Sequence, residues 1–212
     1  MNAMNLIAAK SIVPVVVIED AAKALPLAQT LFDAGIQSIE ITLRTDAAMD
    51  ALETIARAST GLAVGAGSVV SPEQLIRVQA AGADFAVSPG STSRLLDEAE
   101  KQNFPLVPGA ATASEVMNLL DRGYTLQKFF PAEPLGGLAM IQALAAPIRS
   151  VRFFPTGGIN ASLAGTYLAD PSIHCLGGSW FVPKAALATG DFEAIARLAK
   201  EAQSIALSAA ER

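Results

Sequence analysis

The stretch Leu126-Gln127-Lys128-Phe129-Phe130-Pro131-Ala132-Glu133 reads as a short strand stopped by a proline. Side chains on a strand alternate between faces, so Lys128 and Phe130 share one face and Gln127 and Phe129 take the other. A lysine inside such an apolar run needs a reason, because lysine is almost never fully buried unless something pairs with it or uses it. Loss of hydration among aromatic side chains favours the uncharged form of an amine, and that form attacks carbonyl carbon.

Runs of the same kind recur on both sides of this one. Short apolar or β-branched stretches stand at 12–18, 38–44, 62–69, 85–88, 105–108, 126–130, 152–156 and 174–177. Their starts are roughly 20–27 residues apart, the length of one strand-plus-helix unit. Helical stretches are predicted between them at 21–34, 46–58, 72–81, 92–101, 114–120, 137–144 and 161–168, with a last one at 192–207. Gly35 suits a helix C-cap, Asp46 an N-cap, and Ser71-Pro72 a cap followed by a first-turn proline. Eight such units predict an α/β chain folded as a (β/α)8 barrel. An open doubly wound sheet is the runner-up, weakened by the lack of a GxGxxG turn after the first strand. No Ser/Gly linker or charge run divides the 212 residues. One domain spanning 1–212 is expected, with a short segment before strand one at about residue 12.

Composition removes several function classes. With 51% hydrophobic and 17% charged residues the chain can bury a sizeable core. A net charge of -5 and a pI near 4.9 argue against a nucleic-acid partner. Any anionic substrate must therefore meet a local positive potential. The single cysteine, Cys175, excludes an internal disulfide and a cysteine-based zinc cluster. The single histidine, His174, leaves little room for metal or Ser-His chemistry, and no metal or organic cofactor is expected. The N-terminus lacks a charged region leading into a long apolar run, and 12–18 is too short to span a bilayer and contains Pro14. A soluble, cytoplasmic protein with no membrane partner is expected.

In a barrel, chemistry belongs at the C-terminal ends of the strands. Strand two, Ser38-Ile39-Glu40-Ile41-Thr42-Leu43-Arg44, turns Glu40, Thr42 and Arg44 to one face and its aliphatic residues to the other. The aliphatic face suits the helices, so Glu40 and Arg44 are expected in the lumen, ~13 Å apart along the strand. Glu40 can relay protons near Lys128 and Arg44 can clamp a carboxylate; a structural ion pair lining the barrel is an equal alternative for this strand alone. Strand three ends in Gly65-Ala66-Gly67-Ser68, where small residues admit a ligand and Ser68 can donate to a carboxylate. Read alone, a capping turn before Pro72 explains it better. Ser88-Pro89-Gly90 and Val107-Pro108-Gly109 read as rigid rim turns. Gly157-Gly158 after strand seven and Gly177-Gly178 after strand eight expose backbone N–H groups beside helix starts, an anion site without net positive charge. His174 and Cys175 begin strand eight at the opposite end, where a core role is expected. Trp180 and Phe181 are read as packing residues, and Lys184, Arg149 and Arg152 as solvated or structural.

The blocks VPVVVI, EITLRT, VGAGSV, AVSPG, KFFPAE, FFPTGGI and GGSWFVP together resemble the 2-keto-3-deoxy-6-phosphogluconate (KDPG) / 4-hydroxy-2-oxoglutarate (KHG) aldolase family. These are class I aldolases that work through a lysine Schiff base, and the blocks match in order over nearly the whole chain. The resemblance implies Lys128 as the Schiff-base lysine and Glu40 as general acid/base. It implies that Arg44 and the Ser68 hydroxyl hold the pyruvate carboxylate and that Pro89 and Phe130 line the pyruvate pocket. Thr156 would contact the distal part of the substrate, and Gly157, Gly158 and Ser179 its phosphate. The family commonly has threonine where this chain has Ser68, so the hydroxyl is kept and a methyl is lost. The implied partners are pyruvate and a phosphorylated keto acid of the Entner–Doudoroff pathway, and the implied assembly is a homotrimer. Sister substrates (the galactonate epimer or 4-hydroxy-2-oxoglutarate), a non-catalytic phosphosugar-binding barrel and an isomerase or epimerase barrel are the rivals.

Overall fold

The computed structural model describes residues 3–211. Its strands are β1 (Ile12–Val16), β2 (Ser38–Thr42), β3 (Ala63–Gly67), β4 (Phe85–Val87), β5 (Leu106–Val107), β6 (Leu126–Phe129), β7 (Arg152–Pro155) and β8 (Leu176–Gly178). Its α-helices are α1 (Ala24–Asp33), α2 (Ala48–Ala58), α3 (Pro72–Ala80), α4 (Ser93–Lys101), α5 (Ala113–Asp121), α6 (Gly137–Ala145), α7 (Ala161–Ala169), α8 (Lys184–Thr189) and α9 (Phe192–Ala210). Parallel ladders run in the order β5-β4-β3-β2-β1-β8, and β6 pairs with β7. Isolated bridges span the two gaps. Gly109 pairs with Lys128 between β5 and β6, and two bridges, Phe153 with Ile173 and Thr156 with Gly177, join β7 to β8 and its approach. The curled sheet thus returns on itself as the predicted (β/α)8 barrel, and the open-sheet alternative is set aside.

Strand alternation sorts the core into two clusters. Ile39 and Ile41 of β2, Phe129 of β6 and Phe153 of β7 pack outward with the helices. Val13, Phe85, Val87, Val107, Leu126, Phe154 and Cys175 fill the lumen. The helices meet the outer face with apolar stripes. On α2 the buried residues are Ala48, Ala51, Leu52 and Ile55, the i, i+3, i+4, i+7 spacing of one helical face. Burying a leucine or isoleucine there contributes about 1.5–3 kcal/mol. Two residues from before β1, Ala3 and Ile7, join the lumen cluster and plug the barrel's N-terminal end.

Most predicted helix starts hold. Ser71 accepts from Gln74 N–H with Pro72 in the first turn, and Thr112 and Glu115 form a reciprocal capping box on α5. Asp46 is a correction. Helix α2 starts at Ala48, and the residue before it, Ala47, makes no side-chain cap. Thr45 anchors this corner instead, its hydroxyl donating to Ile18 C=O. The six-residue α8 has no counterpart in the sequence reading. A 3-10 turn at Ala21–Lys23, capped by Asp20, precedes α1.

Candidate active site

Lys128 leaves β6 on the inner face because the outer face is pinned. The neighbouring Gln127 side chain donates to Val116 C=O at 3.1 Å and Tyr124 C=O at 2.9 Å, outside the barrel. A one-residue slip would turn every side chain of the strand over and break both bonds. The backbone of Lys128 is held as well. Its N–H donates to Pro108 C=O at 2.8 Å, and its own C=O accepts from Ala110 N–H at 2.9 Å. The turn after β5, read above as a plain rim turn, therefore fixes the lysine.

The Lys128 ammonium meets Glu40 Oε1 at 3.3 Å, with the two side chains only 4% and 0% exposed. Its other neighbour is the Phe130 ring, 5.4 Å from Nζ to centroid. Glu40 Oε2 is buried without a protein partner among the described residues. Such an atom has the capacity to hold a proton or accept one hydrogen bond. Gly67 makes this arrangement possible. A Cβ on Gly67 would stand 2.0 Å from Glu40 Oε1 and 2.7 Å from both Cγ and Cδ. The glycine at the end of β3 serves the carboxylate across the lumen. That purpose differs from the ligand approach expected of it.

Above the pair, Arg44 lies just beyond β2 and its Nε donates to Ser68 Oγ at 3.0 Å. Ser68 adopts φ +60, a left-handed backbone that turns the chain after β3. A cavity of about 410 Å³ opens here, lined by Arg44, Phe130, Thr156, Gly157, Gly158 and Ser179 from the expected set. Thr156 is buried, and its hydroxyl finds no partner among the described residues. Of the expected residues, Pro89, Ser68, Lys128 and Glu40 do not line this cavity; the buried pair borders it through Phe130, whose ring faces Lys128 and walls the space. Pro89 packs on the next turn, where a Cβ on Gly109 would meet Pro89 C=O at 2.3 Å. Val15, Val17 and Lys184 line the cavity and were not picked out in the sequence. The valines are the inward members of an apolar run, which carries no polar signal. Lys184 was read as solvated or structural, and it instead borders the same space as the Gly157-Gly158 turn.

The Gly157-Gly158 corner takes φ +106 and φ +80, a shape that glycine adopts without steric cost. It is clamped from below. Ala132 N–H donates to Thr156 C=O at 2.9 Å and Glu133 N–H to Gly157 C=O at 3.0 Å. A Cβ on Gly158 would lie 2.6 Å from Glu133 Cβ. Glu133 is in turn held by the Tyr167 hydroxyl of α7. Burial and that carboxylate raise the Tyr167 pKa, so the phenol stays protonated as a donor. Gly178 is compressed in a similar way under the Trp180 ring. Trp180 stacks edge-on against Phe181 at 5.2 Å, the packing role expected of both.

His174 and Cys175 sit at the far end, as expected. The His174 ring donates from Nε2 to Ile7 C=O at 2.8 Å. Cys175 is a buried free cysteine whose thiol pKa is pushed well up by burial and, secondarily, by the charge of Glu40. It is an inert part of the lumen packing.

A sequence profile of the KDPG and KHG aldolase family matches residues 4–198. The KHG/KDPG aldolase of Escherichia coli K12 is 45% identical over 201 residues, 95% of this chain and 94% of that protein. The 2-dehydro-3-deoxy-phosphogluconate aldolase of Dickeya dadantii is 46% identical over the same shares of each chain. A crystal structure of the Legionella pneumophila KDPG aldolase, with pyruvate captured as a covalent carbinolamine, superposes with a TM-score of 0.91. It is 42% identical, covering 94% of this chain and 97% of the other. The Zymomonas mobilis ZM4 KDPG aldolase with 3-phosphoglycerate superposes at 0.87 with 44% identity, covering 94% and 93%.

Proposed function

This chain belongs to the KDPG and KHG aldolase family, and on that premise we propose that Lys128 supplies its Schiff-base nitrogen and Glu40 moves its protons. The chain is a class I aldolase, a carbon–carbon lyase. It cleaves 2-keto-3-deoxy-6-phosphogluconate to pyruvate and glyceraldehyde 3-phosphate, the aldol step of the Entner–Doudoroff pathway. The residue assignment rests above all on one observation: an amine and a carboxylate 3.3 Å apart, both buried, beside the Phe130 ring that walls a cavity whose charged lining groups are cationic.

The steps follow from that geometry. Glu40 takes a proton from the Lys128 ammonium, and the freed amine adds to the C2 carbonyl of the substrate. Glu40 returns its proton to the carbinolamine hydroxyl, which leaves as water, and the resulting iminium draws electrons from C3. Glu40 then takes the proton of the 4-hydroxyl, directly or through water. The C3–C4 bond breaks, its electron pair passes into the enamine, and glyceraldehyde 3-phosphate leaves. The same carboxyl returns a proton to C3. Water hydrolyses the new iminium, releasing pyruvate and the lysine. Arg44 and Ser68 hold the carboxylate, Phe130 walls the pyruvyl group, and Thr156 offers its free hydroxyl to the hydroxylated chain. Gly157, Gly158 and Ser179 receive the phosphate. Pro89 supports the rim from outside the cavity.

A kinetic test is direct. Lys128→Met should leave cleavage of the phosphogluconate substrate at background in a coupled pyruvate assay, while a folded protein persists by circular dichroism. Full turnover in that variant would remove the lysine from the mechanism. The E. coli relative carries both substrates in its name, so 4-hydroxy-2-oxoglutarate is the second compound to assay, and the galactonate epimer the third. Cytoplasmic residence and a homotrimer belong to the same reading. Among the described residues no helix is long and apolar enough to cross a membrane, and light scattering tests the trimer.

A further inference from the structure

We propose that Lys184 is the residue by which this enzyme selects a phosphorylated substrate over its unphosphorylated counterpart. The inference rests on the aldolase reading above and goes further, to the far end of the substrate. Among the described residues two charged side chains line the cavity, Arg44 and Lys184, and both are cations. The substrate has two anionic ends. Arg44 is committed to one of them by its bond to Ser68 on the rim of β2 and β3. Lys184 stands just past β8 and shares the cavity with Gly157, Gly158 and Ser179, which offer N–H and O–H groups but no charge. In a chain of net charge -5, neutral donors alone leave a phosphate dianion without a counter-ion.

Lys184 is available for that role. It is exposed and has no hydrogen-bond or ion-pair partner among the described residues. A neighbouring groove contains Glu19 and Asp20 beside it. The Asp20 carboxylate is already accepting from Ala22 N–H at 2.9 Å, as the cap of the 3-10 turn. Glu19 is the remaining competitor, and it makes no contact with the ammonium within ion-pair distance. A long, mobile ammonium at the mouth can follow the phosphate in and release it with the product, which a buried cation would do less readily.

The test compares phosphorylated and unphosphorylated 2-keto-3-deoxygluconate on the wild type, Lys184→Met and Lys184→Arg. Methionine keeps the apolar stem and removes the charge. The expected result is a KM for the phosphorylated substrate raised roughly 5- to 30-fold in Lys184→Met, the range between an exposed and a partly desolvated charge contact. The kcat stays within about two-fold and the KM for the unphosphorylated compound does not move. Lys184→Arg recovers most of the loss, and 1 M salt narrows the difference because screening at that strength reaches ~3 Å. An unchanged KM for the phosphorylated substrate, or an equal loss on both, overturns the proposal. Borohydride trapping with pyruvate is run on each variant. Loss of trapping in the wild type would bring down the aldolase reading itself, whereas intact trapping with an unchanged KM would remove only Lys184.

Discussion

The two ends of the barrel each bind a lysine, and they use it in opposite ways. At the N-terminal end Lys10 donates to the backbone carbonyls of Asp170 at 2.7 Å and Ile173 at 3.0 Å. Those acceptors cannot take a proton away. At the C-terminal end the Lys128 ammonium donates instead to the Glu40 carboxylate, which can. The first lysine is a strut, spent on closing the plugged end. The second keeps a proton acceptor beside it and faces the Phe130 ring that walls the cavity. Residue type does not separate them; the chemistry of the acceptor does.

The largest expected effect lies at the catalytic end. Glu40→Gln keeps the shape and removes the acceptor, so turnover per folded molecule should fall roughly 10²–10⁴-fold. Breaking a buried pair also costs about 3–5 kcal/mol of stability, so the folded fraction must be measured alongside. Turnover like the parent's would make the two lysines equivalent and dissolve the contrast.

Gly67→Ala should follow at roughly 10²-fold, the loss that accompanies an ångström of misplacement. The added methyl occupies the space of Glu40 Oε1, and a crystal structure would show the carboxylate displaced. An unmoved Glu40 would mean that the barrel flexes enough to make the glycine dispensable.

At the other end the readout changes from rate to stability. Lys10→Met should lower stability by about 1.5–3 kcal/mol, since two charge-assisted bonds go and two carbonyls lose a donor. That is a Tm drop of roughly 3–12 °C for a chain of this size, with kcat within about two-fold. A loss of turnover larger than the loss of folded protein would contradict the strut reading.

The smallest effect concerns acid. Burial alone would raise the Asp170 pKa. The hydrogen bonds from Ser172, reinforced by Gln142 and the charge of Lys10, nevertheless hold it below the ordinary aspartate value. A carboxyl depressed in the folded state contributes stability that is complete above its unfolded pKa. That contribution is lost as the pH falls through the folded value. Urea unfolding of Asp170→Asn should therefore approach the wild type once the pH has fallen below the ordinary aspartate range and trail it at pH 6, by under about 1 kcal/mol. A gap that stays constant with pH would remove Asp170 from the acid response of this end.

The strand alternation, the inward Lys128 and Glu40, and the Gly157-Gly158 corner could be read from the chain, because parallel strands in a barrel leave few places for a charged side chain to hide. Gly177-Gly178, expected as a second glycine turn, instead lies within β8 with no left-handed backbone. Three other features could not be read. Gly67 is explained only by a carboxylate from another strand. Lys184 lies beyond the last strand, where no periodicity says which way a side chain turns, and a solvated role was the natural reading. The plug formed by Ala3 and Ile7 depends on closing the ring, which no local pattern records. Asp46 failed as a cap for a similar reason. A tertiary bond from Thr45 to Ile18, between neighbouring loops, set the helix start instead.

The most direct measurement is reduction of the pyruvate complex with borohydride, followed by peptide mapping of every lysine. The account predicts a pyruvyl adduct on Lys128 alone, with Lys10 and Lys184 unmodified. An adduct on any other lysine, or none at all, would contradict it.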